Sequence, residues 1–368
     1  MINILYVVST LKRCGPSNQL SYIIKHLDRD RFNPIVLTLS NETEDSYKSF
    51  FVDVLKVEVE TLGLPRLKGL FLAKNEVCKF IIKNKIHIVH SQGIRADGFM
   101  SKIKVPTVST LRNYPFYDYC MTYGKIKGWL MAKAHLRFLS TIDAPYACSE
   151  SISNMLLDNL NYKIKYIRNG VDLERFNNLN KTEIRSRLGL DSSFKVFISV
   201  GHLSSRKDPV TIIKAFKKAN LKNSILLFLG DGNDRDACLA EISDTSNIKL
   251  IGEVSNVHEY LGASDCFISA SQAEGLPNTV MEAMACSLPC ILSDIPPHQE
   301  IQKLNPSSSL IFSTKSVDEL TDNLIKFEMM DAIEMGKAAK NIVEQHLNAE
   351  IMSNNYQEKY LELLENKC

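Results

Sequence analysis

The chain has 368 residues, 45% hydrophobic and 23% charged, with a net charge of +2. At about 100–200 residues per domain, that is an ordinary globular composition with room for two domains. No run approaches the roughly 18 apolar residues of a membrane span. The nine scattered cysteines never form a CxxC pair, which argues against a disulfide framework and against a zinc site.

The first apolar run, from Ile2 to Val8, has no basic residue before it and Lys12 and Arg13 after it, the reverse of a signal peptide, so a cytoplasmic chain is expected. Strands are expected over residues 4–9, 34–39, 86–90, 107–110 and 144–147, with helices over 17–27, 70–83 and 125–139 between them. The pattern restarts with strands over 195–200, 224–229, 248–251, 266–269, 289–292 and 309–312. Strand–helix alternation in two series implies an α/β chain of two doubly wound, Rossmann-like parallel sheets facing a cleft. The turn at Asn169-Gly170 marks the joint, giving domains over 1–168 and 169–345, with a C-terminal helix in 346–368 packing back across the first domain. Charge is uneven: residues 1–165 hold 23 Lys+Arg and 14 Asp+Glu, and the remainder 21 and 28. The first half therefore suits an anionic partner, or simply carries surplus surface lysines. No nucleic-acid-binding motif accompanies the basic half, so nucleic acid is not the expected partner.

Three segments carry chemistry. Glu274-Gly275-Leu276-Pro277-Asn278-Thr279-Val280-Met281-Glu282 follows the strand over 266–269. Gly275 permits a tight turn, Pro277 suits a helix entry, and Asn278 is placed to cap the first turn. The start of that helix suits a diphosphate, and the two flanking carboxylates suit hydroxyl groups. Read alone, the segment fits a capped surface helix with two solvated glutamates equally well. Arg206 and Lys207, after the strand over 195–200, suit a diphosphate or an exposed basic turn. Gly230-Asp231-Gly232 is a weaker signal, readable as a plain turn.

Together with Asn169-Gly170-Val171-Asp172, Cys14-Gly15-Pro16-Ser17, His90-Ser91-Gln92-Gly93, Cys148-Ser149-Glu150-Ser151 and the segment from Ser293 to Glu300, these residues resemble family 4 of the retaining nucleotide-sugar glycosyltransferases. The resemblance covers most of the chain. It implies a GT-B fold, a nucleotide-sugar donor (a UDP-sugar is expected) held mainly by the second domain, an acceptor held mainly by the first, and no required metal or other cofactor. By position it implies that Glu274 meets the sugar hydroxyls, Glu282 the ribose, and Arg206 and Lys207 the diphosphate. Gly15, Gly275, Leu276, Pro277 and the backbone of Asn278, Thr279 and Val280 complete that pocket, with Gly252 and Val254 flanking the base. The family's usual Gly-Arg-Leu is Gly201-His202-Leu203 here, Gln92 stands where a second histidine is common, and Ser287 replaces a usual glycine without expected consequence.

A glycosidase-like scheme with two carboxylates is set aside because Glu282 is assigned to the ribose; front-face departure of the diphosphate is favoured. On the acceptor side His90, Gln92, Arg112 and Asn113 follow strands and suit a polyprenyl-diphosphate-linked glycan, of the kind that bacterial relatives use to build O antigen, capsule or exopolysaccharide. Residues 123–139 interleave Lys125, Lys127, Lys133 and Arg137 with Ile126, Trp129, Leu130 and Leu136. This is the pattern of an interfacial helix at the inner face of the plasma membrane, or of a helix packed on its own sheet. A nucleotide-sugar 2-epimerase and a non-catalytic sugar-nucleotide-binding module remain the competing functions.

Overall fold

A computed structural model describes residues 1–177, 179–242 and 245–366, with side chains at all of these except 66–71. The chain forms two compact units, one of residues 1–170 and 349–368, the other of 171–348. The last two residues of the expected C-terminal helical segment, 367 and 368, lie outside the described residues.

The first unit runs β1 (Ile2–Val8), α1 (Gly15–Lys25), β2 (Phe32–Thr38), β3 (Glu58–Thr61), α2 (Arg66–Lys83), β4 (Ile88–Gln92), α3 (Ile94–Asp97), β5 (Thr107–Leu111), α4 (Pro115–Tyr123), α5 (Lys125–Leu139), β6 (Ala144–Ala147), α6 (Glu150–Leu160) and β7 (Lys165–Tyr166). Its described strands make a seven-stranded sheet in the order β3-β2-β1-β4-β5-β6-β7, parallel throughout. Strands covered on both faces need apolar residues at successive positions, and residues 4–8 of β1 are all buried. Alternate residues divide between two cores: Ile4, Tyr6 and Val8 on one face, Leu5 and Val7 on the other.

The second unit runs α7 (Lys181–Leu188), β8 (Lys195–Val200), α8 (Pro209–Ala219), β9 (Ser224–Leu229), α9 (Arg235–Ile242), β10 (Ile248–Gly252), α10 (Val257–Ala263), β11 (Cys266–Ser269), α11 (Asn278–Ala285), β12 (Cys290–Ser293), α12 (Pro296–Leu304), β13 (Ser309–Phe312), α13 (Val317–Phe327) and α14 (Ala332–His346). Its described strands form a parallel sheet in the order β10-β9-β8-β11-β12-β13. In both sheets chain order reverses direction beside the first strand, at β1/β4 and at β8/β11. Such switch points open a crevice at the carboxyl ends of the strands, where loops and helix starts gather.

The chain ends in α15 (Ala349–Glu365), which packs on α1 of the first unit. Tyr356 and Tyr360 are fully enclosed there. The Tyr356 hydroxyl lies 2.7 Å from Thr110 Oγ1, and that of Tyr360 lies 2.7 Å from His90 Nδ1 and 3.2 Å from the Tyr6 hydroxyl. Ser353 Oγ donates to the Ile23 carbonyl at 2.8 Å.

Three elements depart from the sequence expectation. β3 is an edge strand with exposed Glu58 and Glu60, so it lacks the apolar run that marks the inner strands. β7 is only two residues long. α4 is rich in aromatic residues, which are indifferent helix formers, and gave no helical signal.

Candidate active site

The loops that follow β8 and β11 meet at the switch point of the second sheet. The β8 loop ends in Asp208, which takes a left-handed backbone (φ 50°) and accepts from the Thr211 amide to cap α8. It is sewn to the β11 loop by Gln272 N to Arg206 O (2.8 Å), Gln272 Nε2 to Ser205 O (2.7 Å) and Arg206 Nη1 to Ala273 O (2.7 Å). Glu274 lies between them, and its carboxylate accepts from Arg206 Nη1 at 2.9 Å, Lys207 Nζ at 2.6 Å and Ser271 Oγ at 2.8 Å. Burial alone pushes its pKa up, but Lys207 and then Arg206 outweigh that and hold it at about 2. Glu274 is thus ionised and only 9% exposed, not the solvated residue of a surface helix.

Two glycines make this packing possible. A Cβ on Gly201 would press on Lys207 Cε at 3.2 Å, and one on Gly230 would overlap the Gly201 carbonyl at 2.1 Å. The Gly230 segment, a weak turn signal in the sequence, is therefore a close approach of two backbones under the cationic loop. Gly230 N also donates to Gly252 O at 2.7 Å, which brings the end of β10 alongside; Val254 follows and packs on the core.

α11 begins at Asn278, with Pro277 rather than Asn278 in the capping position. Met281 N donates to Pro277 O at the start of the helix, so the amides of Thr279 and Val280 lie in its first turn. The helix is buried along most of its length, Glu282 included. Burial raises the Glu282 pKa to about 7, against the pull of Arg175 and Lys207. Arg175, on the short helix Leu173–Phe176, had no motif to announce it. His298, within the Ser293–Glu300 segment that carries part of the resemblance, is fully enclosed, with Nδ1 2.9 Å from the Ser293 carbonyl. The Ser293 hydroxyl in turn donates to Ser271 O at 2.6 Å, linking α12 to the Glu274 loop. Ser287 takes φ 58°, the left-handed region where a side chain costs about 1 kcal/mol relative to glycine, so its substitution is not neutral for the backbone.

In the first unit, Gly15 opens α1. The expectation for His90 is corrected. Its ring is 0% exposed, Nδ1 and Nε2 are taken by Tyr360 and Thr110, and burial lowers its pKa to about 3. It fastens β4 to α15 and has no atom left for an acceptor. Asn113 donates to Asp118 at 3.1 Å, toward α4. Gln92 and Arg112 do come together: Arg112 Nε donates to Gln92 Oε1 at 3.0 Å and Nη1 to Asn169 Oδ1 at 2.7 Å. Among the described residues, no group of three or more His, Cys, Asp or Glu side chains is placed to hold a metal ion.

Residues 15–175 match the family model Glycosyltransferase Family 4, and residues 180–346 match Glycosyl transferases group 1. The chain belongs to glycosyltransferase family 4. This glycosyltransferase is 26% identical over 350 residues to the Escherichia coli UDP-Gal:alpha-D-GlcNAc-diphosphoundecaprenol alpha-1,3-galactosyltransferase, covering 89% of this chain and 87% of that one. Sucrose-phosphate synthase from Thermosynechococcus elongatus superposes with a TM-score of 0.85 at 15% identity, over 100% of both chains. Anabaena HepE, determined with UDP and glucose, gives 0.79 at 16% identity over 98% of this chain and 99% of that one. These likenesses identify the fold as GT-B: two Rossmann-like parallel-sheet domains.

Proposed function

We propose that this glycosyltransferase moves a sugar, with retention of anomeric configuration, from a UDP-sugar to a polyprenyl-diphosphate-linked glycan during assembly of a bacterial surface polysaccharide such as O antigen, capsule or exopolysaccharide. The observation that carries this reading is the triad of Arg206, Lys207 and Glu274 at the switch point beside β8 and β11. UDP as the nucleotide is supported by the UDP-Gal named for the Escherichia coli relative and by the UDP bound to HepE. The lipid-linked acceptor is supported by the same relative's name.

In the front-face route, the bond from the anomeric carbon to the diphosphate oxygen breaks. Arg206 and Lys207 stabilise the charge left on that oxygen, so no metal is required for this step. The acceptor hydroxyl adds to the same face of the anomeric carbon and gives its proton to the departing diphosphate. Glu274, held ionised between the two cations, orients them and accepts from sugar hydroxyls. Glu282 accepts from the ribose.

The identifying experiment is a panel of UDP-, GDP- and ADP-sugars, followed first for slow hydrolysis and then for transfer to lipid-linked acceptors. Interconversion of the sugar nucleotide without acceptor would replace this reading with a 2-epimerase. For the leaving-group role, Lys207→Ala is expected to lower kcat by roughly 10²–10³ while weakening nucleotide binding much less. An unchanged kcat sinks the front-face assignment.

The first unit is read as the acceptor side, working at an anionic membrane face. α4 and α5 expose Tyr117, Met121, Tyr123, Ile126, Trp129 and Leu130 beside Lys125, Lys127 and Lys133, an apolar face with a basic rim that complements anionic lipid.

A further inference from the structure

Arg112 is an anomaly of the first unit. It sits just beyond the carboxyl end of β5, with its guanidinium desolvated enough to lower its pKa. Its hydrogen bonds go to two neutral amides, those of Gln92 and Asn169. The ionisable groups that act on it most strongly are Tyr356, Cys148, Tyr360 and Cys14, none of them a carboxylate. A cation taken out of water is ordinarily paired, because leaving it unpaired costs several kcal/mol. Arg112 and Gln92 also each have one unspent donor. Arg112 Nη2 and Gln92 Nε2 are both enclosed without a hydrogen-bond partner, and Gln92 is 7% exposed. Gln92 is fixed in that orientation, because its oxygen already accepts from Arg112 Nε and its NH₂ must therefore face the other way. The spare groups of the pair are thus N–H donors, beside an uncompensated positive charge at the end of the central strands.

The geometry points to Gln92 and Arg112 as an anion site that holds a diphosphate oxygen of the acceptor. This deepens the acceptor reading and rests on it for the identity of the anion. A histidine at position 92 would bring a ring that can present an acceptor nitrogen; glutamine, with its oxygen spent on Arg112, presents only donors. The residue that departs from the family pattern fits a phosphate better than a hydroxyl that must lose its proton.

The test uses the full chain with inorganic pyrophosphate as probe, in a Lys207→Ala background so that the second unit's cationic loop is weakened. Pyrophosphate is expected to raise the melting temperature. Adding Gln92→Glu puts a carboxylate against Arg112, so it should raise the melting temperature without anion and abolish the response to pyrophosphate. Retention of that response, or a lower melting temperature without anion, overturns the site. A kinetic arm separates the two possible sources of diphosphate. In otherwise wild-type enzyme, Gln92→Glu should raise KM for a polyprenyl-diphosphate-linked acceptor by at least about tenfold and leave donor KM within about twofold. A shift confined to donor KM overturns the assignment to the acceptor. If the wild type uses no diphosphate-linked acceptor at all, the acceptor reading fails, while the pyrophosphate response still judges the anion site.

Discussion

Glu274 and Glu282 lie one helix start apart in sequence yet titrate in opposite directions. Glu274 is held near 2 by its two cations, whereas Glu282 is raised to about 7 because burial outweighs the pull of Arg175 and Lys207. Between the usual 4.5 and about 7, the folded protein holds a proton on Glu282 that the unfolded chain has released. Stability therefore falls as pH rises through that window, by about 3 kcal/mol at its full extent. Glu274 acts in the other direction and at lower pH, losing its stabilising contribution as pH falls from 4.5 toward 2. Glu282→Gln should remove the decline between pH 4.5 and 7 in thermal melts, and should also flatten the rise of UDP affinity with pH if the ionised carboxylate receives the ribose. A pH profile of stability identical to wild type would mean that Glu282 does not titrate in that range. Arg206, Lys207 and Glu274 stood out in the sequence because they follow strands and match the positions where the resemblance implies a donor pocket, whereas Arg175 carried no such mark. The pairing was not legible: nothing in the spacing of Arg206, Lys207 and Glu274 says that one carboxylate takes both cations.

At the scale of elements, the pair α4–α5 shows where sequence periodicity stops being informative. α5 was expected as a helix, and it buries only a narrow strip of Gly128, Ala132, His135, Leu136 and Leu139. His135 Nε2 lies 2.7 Å from Asp97 Oδ2, and its Nδ1 lies 2.7 Å from the Tyr119 hydroxyl, so buried polar contacts tie α3, α4 and α5 together. A Cβ on Gly128 would overlap the α4 backbone at 2.4 Å, which explains the close crossing of the two helices. With their contact made by small and polar residues, the large apolar ones are left outward: Ile126 is 82% exposed and Leu130 56%. If this face meets anionic lipid, replacing Lys125, Lys127 and Lys133 together by Glu should abolish co-sedimentation with phosphatidylglycerol vesicles. Each basic residue near such a surface contributes about 1 kcal/mol, and raised salt should weaken wild-type binding in the same direction. Co-sedimentation unaffected by the charge reversal would discard the membrane face while leaving the donor site untouched.

At the scale of the whole molecule, most of the fold was legible because parallel strands buried on both faces carry continuous apolar runs, as in Val196–Ile198 and Ile225–Leu229. The edge strands Glu58–Thr61 and Lys165–Tyr166 escaped for the same reason, since an edge is not so covered. The distant closure was expected from the tail, which reads as helix with no strand left to form. The chain does leave the first unit at Gly170 and return to it at Ala349, with the entire second unit in between. Which side chains make that contact was beyond any local pattern. The returning helix supplies Met352, Tyr356 and Tyr360 to the first unit's core, each buried to 2% exposure or less. At about 1.5–3 kcal/mol per large apolar side chain, those three alone rival the 5–15 kcal/mol that holds a domain together. Their loss would also strip partners from His90, Thr110 and Tyr6, leaving enclosed polar groups unsatisfied. Ending the chain after Asn348 should therefore unfold the first unit and leave the second, whose residues 171–348 keep their own core. Calorimetry would show one transition lost, and amide exchange would show protection retained in Lys195–Val200 but lost in Ile2–Val8. The milder Tyr360→Phe removes one hydroxyl from two partners and should cost the first unit about 1–3 kcal/mol without eliminating its transition. If the truncated chain kept protection in Ile2–Val8, the C-terminal helix would be an accessory to the first unit and not part of its core.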